Sequence, residues 1–222
     1  MPDAAFSATP TDSLTPPVRP CRLLVLASGG GSNAARLMAH YAARPQVAQV
    51  VGLLTNNPAA GALARAAEAG VPTRIFDRPA WRDGTVQALI TNEFAPDLIV
   101  LAGFLWLVPP ALVAAYAGRI VNIHPSLLPK FGGRGMHGPH VHQAVLAAGE
   151  TESGLTIHLV NDHYDEGAPL FQARCPVLPA DTPETLGARV LALEHHYLPL
   201  VVEALARDKQ TPSEITDWLE RV

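Results

Sequence analysis

Asn122-Ile123-His124-Pro125-Ser126-Leu127-Leu128-Pro129 is the stretch on which the reading of this chain turns. In an extended strand, residues i and i+2 share a face. Asn122 and His124 therefore project side by side, with Ile123 turned into the sheet. Pro125 has no N–H to give to a ladder, so it favours ending the strand there, and it holds His124 extended. An amide and an imidazole thus stand together at the carboxyl edge of a buried strand, the edge at which open α/β sheets bind their ligands. Such a pair can donate hydrogen bonds to an oxyanion and move a proton near neutral pH.

Working outward, Leu98-Ile99-Val100-Leu101 and Leu23-Leu24-Val25-Leu26 are short continuous apolar runs, the mark of buried parallel strands. The patterning predicts further strands over 47–54, 73–76 and 120–124, and helices over 33–42, 62–69, 81–94 and 109–116. Strand and helix alternate with short connections, the pattern of a doubly wound, mostly parallel α/β sheet of Rossmann-like type with about seven strands. A helix is expected over 140–148, and strands over 154–160 and 169–177, with no helix between them, form an antiparallel edge pair. Thr182-Pro183 opens a long final helix to about residue 206, with Thr182 as N-cap and Pro183 at the first helical position. Residues 1–20, rich in Pro, Ser and Thr, read as a flexible extension, 21–208 as one domain, and 209–222 as a C-terminal tail.

The composition bounds the function. The 222 residues are 48% hydrophobic with a net charge of −4, as in an ordinary globular protein with no nucleic acid or anionic membrane as its main ligand. Cys21 and Cys175 lie in no metal-ligand spacing, which fits a reducing cytoplasm. There is no signal peptide pattern and no apolar run long enough to span a membrane.

Ser28-Gly29-Gly30-Gly31-Ser32-Asn33 follows the first strand and opens the first helix. Glycines let backbone come close to a ligand, and helix N–H groups attract anions, so the turn reads as a phosphate site or as a plain tight turn. No lysine follows it as a P-loop requires, so ATP is disfavoured. The acid that a dinucleotide site needs about 20 residues on is missing, which favours a sugar phosphate over NAD. Asp165, in the loop between the last two strands, reads either as a solvated turn residue or as a carboxylate folded over His124, where it would favour the imidazolium. His137, His140 and His142 crowd a loop with Gly132, Gly133 and Gly135, read as a mobile flap rather than a zinc site. His158 either faces the site or is a satisfied interior histidine, and His195 and His196 read as packing or surface residues.

Together, Ser28 to Asn33, Ala95-Pro96-Asp97, Leu101-Ala102-Gly103-Phe104, Asn122 to Pro129 and Asp165-Glu166-Gly167 resemble the folate-dependent phosphoribosylglycinamide formyltransferase family, in that family's order. The resemblance implies formyl transfer from 10-formyltetrahydrofolate, as cosubstrate, to the amine of 5'-phosphoribosylglycinamide in purine biosynthesis, with neither metal nor ATP. It implies that Asn122 and His124 stabilise the tetrahedral oxyanion, that His124 delivers a proton to the leaving nitrogen, and that Asp165 keeps His124 protonated. Gly31, Ser32 and Asn33 would hold the phosphate, and Glu194 the ribose or glycinamide portion. Leu105, Trp106, Leu107 and Val108, with Asn122 and with Asn161, Asp162, His163, Tyr164 and Asp165, would line the folate pocket. Arg82, with Arg78 as the alternative, would meet the folate carboxylates. Trp106 stands where an arginine is common and Leu191 where a polar residue is common. The implied setting is cytoplasmic, as a monomer or weak homodimer acting on small molecules. A formyltetrahydrofolate hydrolase, a methionyl-tRNA formyltransferase, an NAD-dependent oxidoreductase and a non-catalytic folate- or nucleotide-binding module are the competing readings. The methionyl-tRNA enzyme would carry a further basic domain, and the hydrolase an extra domain in front.

Overall fold

The computed structural model describes residues 19–208 and 211–222; most of the extension expected over 1–20, and the first two residues of the expected tail, lie outside them. The strands are β1 (Cys21–Leu26), β2 (Ala48–Thr55), β3 (Thr73–Ile75), β4 (Leu98–Leu101), β5 (Ile120–His124), β6 (Glu152–Leu159) and β7 (Pro169–Pro176). They form one seven-stranded sheet in the order β3-β2-β1-β4-β5-β6-β7. The first five strands pair in parallel, and β5–β6 and β6–β7 are antiparallel. This is the Rossmann-like architecture expected, with the antiparallel pair at the edge.

Alternation in the short strands explains the two cores. Leu23 and Val25 point to one face of the sheet, against α1 (Ser32–Ala42), α2 (Gly61–Glu68), α6 (Pro139–Ala147) and α7 (Pro183–Ala206). Leu24 and Leu26 point to the other, with Trp81, Phe94 and Phe104. Each fully buried leucine contributes about 1.5–3 kcal/mol.

Two expected elements differ, and one more is found one residue shorter at each end. The helix expected over 81–94 is α3 (Arg78–Arg82), α4 (Thr85–Leu89) and a π turn over Ile90–Phe94. Gly84 at φ 89 breaks the first two apart, and Ala95 at φ 40 closes the third ahead of Pro96. The short helix before β5 is α5 (Pro110–Ala115). Within 209–222, Pro212–Leu219 is a helix, α8, rather than tail. A reciprocal Thr211–Glu214 capping box starts it, and Ile215 is fully buried against the α7 side. No helix among the described residues is long and apolar enough to cross a membrane.

Candidate active site

Pro125 ends β5, and its last residue, His124, is 3% exposed. His124 Nε2 lies 2.8 Å from the Phe131 carbonyl, which can only accept, so this nitrogen carries a hydrogen. The other ring nitrogen, Nδ1, therefore faces Asp165 Oδ2 at 3.5 Å. Two positions back on the same strand, the Asn122 amide donates to Asp165 Oδ1 at 3.3 Å and to His158 Nε2 at 3.1 Å. His158 sits opposite Asn122 in the antiparallel β5–β6 register, and its Nδ1 donates to the Leu159 carbonyl at 2.8 Å. Both readings of His158 are met in part: it is a buried, fully hydrogen-bonded interior histidine outside the cavity wall, and it stands directly behind Asn122.

The β6–β7 loop brings the carboxylate in. Asp165 adopts a left-handed conformation, φ 57, which aspartate tolerates better than most residues. Two residues on, a Cβ on Gly167 would stand 1.7 Å from the Leu159 carbonyl, so only glycine lets the loop close this tightly. The Gly133 N–H donates to Asp165 Oδ2 at 2.9 Å, pinning the Gly/His loop to the same carboxylate.

Burial and the Asp165 charge act on His124 in opposite senses. Burial pushes the His124 pKa down, and the opposing Asp165 charge and the Phe131 carbonyl do not fully offset it, so the net shift is below the usual histidine value. Asp165 thus acts to raise the His124 pKa, and burial acts against it. Burial pushes Asp165 up, but His158, His124 and the Gly133 N–H outweigh it and hold the carboxyl below the usual range.

Across the cavity, the turn after β1 is built from backbone. Gly31 caps α1 at φ 73, and a Cβ there would come within 2.6 Å of the Ala62 Cα. Buried Ser28 donates to Asn56 Oδ1 at 2.6 Å and accepts from the Leu105 N–H at 3.1 Å, tying this turn to the end of β4. Asn33 donates to Glu194 Oε2 at 2.6 Å, while its own side-chain oxygen has no partner. Glu194, on α7, is 7% exposed; burial pushes its carboxyl up to about 7, against the Asn33 hydrogen bond.

One cavity of about 520 Å³ joins these parts. Gly31, Ser32, Asn33, Leu105, Asn122, His124, Tyr164, Asp165 and Glu194 all line it, with residues of the Gly/His loop. Trp106, Leu107, Val108, Asn161, Asp162, His163 and Arg82 do not. The backbone of Leu107 bridges the Tyr164 hydroxyl (3.0 Å) and the Trp81 indole N–H (2.9 Å). Val108 is buried, and the Asn161 side chain accepts from the His163 N–H within its own loop. Asp162 and His163 form an exposed pair. Trp106 packs beside Phe76 and Phe104, with the Arg78 guanidinium 4.3 Å over its ring, while Arg82 is exposed at the end of α3. No cluster of three or more His, Cys, Asp or Glu placed to hold a metal occurs among the described residues. Both cysteines are free.

An imidazole, an amide and a carboxylate on one wall, facing the N–H groups of a helix start on another, suit acyl transfer to a phosphorylated nucleophile. The Formyl transferase family model matches residues 21–202. The chain belongs to the formyl transferase family. Among formyl transferase relatives, the phosphoribosylglycinamide formyltransferase of Escherichia coli is 36% identical over 202 residues, covering 89% of this chain and 93% of that one. The chloroplastic phosphoribosylglycinamide formyltransferase of Vigna unguiculata is 42% identical over 198 residues, 86% of this chain but 63% of the relative, so the chain spans less than two thirds of that plant protein. A solved structure of glycinamide ribonucleotide transformylase 1 from Symbiobacterium toebii superposes with a TM-score of 0.80 at 32% identity, covering 90% of this chain and 94% of its own.

Proposed function

We propose that this formyl transferase moves the formyl group of 10-formyltetrahydrofolate to the amine of 5'-phosphoribosylglycinamide. The observation that carries the reading is the placement of His124 Nδ1 3.5 Å from Asp165, beside Asn122, in the wall of the cavity that the Gly31–Asn33 turn also lines. The names of the full-length relatives point the same way.

The substrate phosphate sits on the N–H groups of Gly31, Ser32 and Asn33 at the start of α1. Glu194 receives the ribose hydroxyls or the glycinamide portion. The amine attacks the formyl carbon, and the carbonyl oxygen becomes an oxyanion beside Asn122 and His124. The Asn122 amide turns one of its two donors from Asp165 or His158 toward that oxygen. His124 starts neutral with a bare Nδ1, because Nε2–H is committed to Phe131. It accepts the proton that the attacking amine sheds. The imidazolium so formed is paired with Asp165 as charge develops on the oxygen. The same proton then passes to the departing folate nitrogen as the carbon–nitrogen bond breaks, so no proton is gained or lost overall.

The folate lies against Leu105, Asn122, Tyr164 and Asp165 in the cavity wall and extends outward toward the rest of the 105–108 and 161–163 segments, with Arg78 or Arg82 meeting its carboxylates. Residues 21–208 carry the activity, in the cytoplasm, as a monomer or weak homodimer, on small-molecule partners only, using neither metal nor ATP. Purified protein mixed with the ribonucleotide and a 10-formylfolate analogue tests this. Absorbance of the deformylated folate is expected to grow only when the ribonucleotide is present. Growth without it would select the hydrolase reading, and no growth would sink formyl transfer altogether.

A further inference from the structure

One stripe of α7 faces the cavity: Glu184, Gly187, Leu191 and Glu194, three or four residues apart. At one end Glu194 is bonded to Asn33. Seven residues earlier, His142 from α6 covers Gly187, whose Cβ position would lie 2.9 Å from the ring's Cδ2 and 3.2 Å from its Nε2. Glycine is unfavourable inside a helix, and here the imidazole occupies the space that a side chain would need. The two points are roughly 10 Å apart along the helix axis, at seven residues of helical rise. Leu191, between them, offers no hydrogen bond.

His142 is 7% exposed. Its Nδ1 is fully shielded and has no partner among the described residues. Nε2 also has no protein partner among the described residues, but it is not shielded. A charged ring would bury an unpaired N–H at Nδ1, and orphaned buried N–H groups are rare. Burial pushes the pKa of His142 down, and any positive charge on the nearby His124 pushes it in the same sense. The ring therefore stays neutral, with its hydrogen on Nε2, next to the α7 stripe. A neutral, rigid donor with no protein acceptor is a group waiting for a ligand oxygen.

We propose that His142 binds the amine substrate, donating from Nε2 to one of its acceptor oxygens, on the phosphate or on the carboxamide. The inference rests on the reading above, since it takes the phosphorylated glycinamide as the ligand of the Asn33–Glu194 face. It makes His142 a residue that sets affinity for the formyl acceptor and not for the folate.

Titration calorimetry with 5'-phosphoribosylglycinamide alone, without folate, is the test. His142→Phe keeps the volume and removes the donor, and is expected to weaken binding about tenfold, the loss of one well-placed hydrogen bond. His142→Gln restores a neutral donor and should recover most of that loss. Gly187→Ala crowds the ring from the other side and should weaken binding in the same direction. In turnover assays KM for the ribonucleotide should rise while KM for the formylfolate stays where it was. Repeating the titration with the dephosphorylated nucleoside separates the two oxygens: a His142→Phe deficit that disappears places the contact on the phosphate, and one that persists places it on the carboxamide. Wild-type affinity in folded His142→Phe and Gly187→Ala would overturn this inference alone. A wild-type protein that binds no ribonucleotide would sink the functional reading along with it.

Discussion

The two sides of the sheet furnish the cavity in different ways. On the parallel side, the turns after β1 and β4 supply mostly main chain: a left-handed Gly31 and the N–H groups that open α1, with one serine hydroxyl stitching two turns together. At the antiparallel corner, β5, β6 and the β6–β7 loop supply side chains whose nitrogens and oxygens are each aimed by a second residue. A backbone site needs only the right local conformation. A side-chain site needs strand register and loop closure to agree. The first is suited to holding an anion that does not change, and the second to handling charge that appears and disappears during a reaction.

Four substitutions would sharpen or break this contrast. The largest effect is expected at the corner: His124→Ala should lower kcat about 10²–10³-fold, the usual cost of removing such a group, with the circular dichroism spectrum unchanged. Near-normal turnover would remove the corner from the chemistry.

Next comes Glu194→Gln. The folded-state carboxyl, at about 7, lies above the usual value of 4.5, so the folded protein binds more protons than the unfolded chain between those values. Stability therefore falls as pH rises through that window. The amide should stabilise the protein at pH 8 by on the order of 3 kcal/mol, change little at pH 4, and weaken ribonucleotide binding. Melting temperatures at the two pH values check it, and an equal shift at both would contradict the buried charge.

Gly31→Ala strains φ 73 and drives a Cβ toward the Ala62 backbone, so about 1–3 kcal/mol of stability should be lost together with phosphate affinity. A variant that melts and binds as wild type would show that the parallel side is not shaped by backbone.

The smallest effect is a displacement of a curve. Asp165→Asn removes the charge that raises the His124 pKa against burial, so that pKa falls further. With His124 as the base of the proposed mechanism, the acid limb of kcat/KM should move to lower pH in addition to the loss of activity. A limb that does not move would uncouple the two residues.

The same contrast explains what was legible in the sequence. Leu23–Leu26 and Leu98–Leu101 read as buried parallel strands because both of their faces are covered, which makes an apolar run unavoidable. The Gly-rich turn and the end of β5 at Pro125 were equally local signals. The helix expected over 81–94 failed because the apolar pattern runs on through Gly84 and the π turn, whose backbone breaks no periodicity argument detects. In the region read as a tail, Thr211 and Glu214 carried a capping-box signal that the reading passed over. His158 stayed ambiguous because its meeting with Asn122 depends on β5–β6 register, which a single strand does not encode. The lowered His124 pKa and the raised Glu194 pKa depend on burial by distant residues, which spacing along the chain does not reveal.

The loop that carries Asp165 acts as a ruler. The strands it joins are packed tightly well behind it, where a Cβ on Gly154 would meet the Ala173 carbonyl at 1.9 Å, and the loop itself is closed by Gly167 wedged on Leu159. With both constraints in place, inserting or deleting one residue would rotate the carboxylate away from β5. Segments such as this one should therefore tolerate exchange of amino-acid type at exposed Asp162 and His163 far more readily than any change in count.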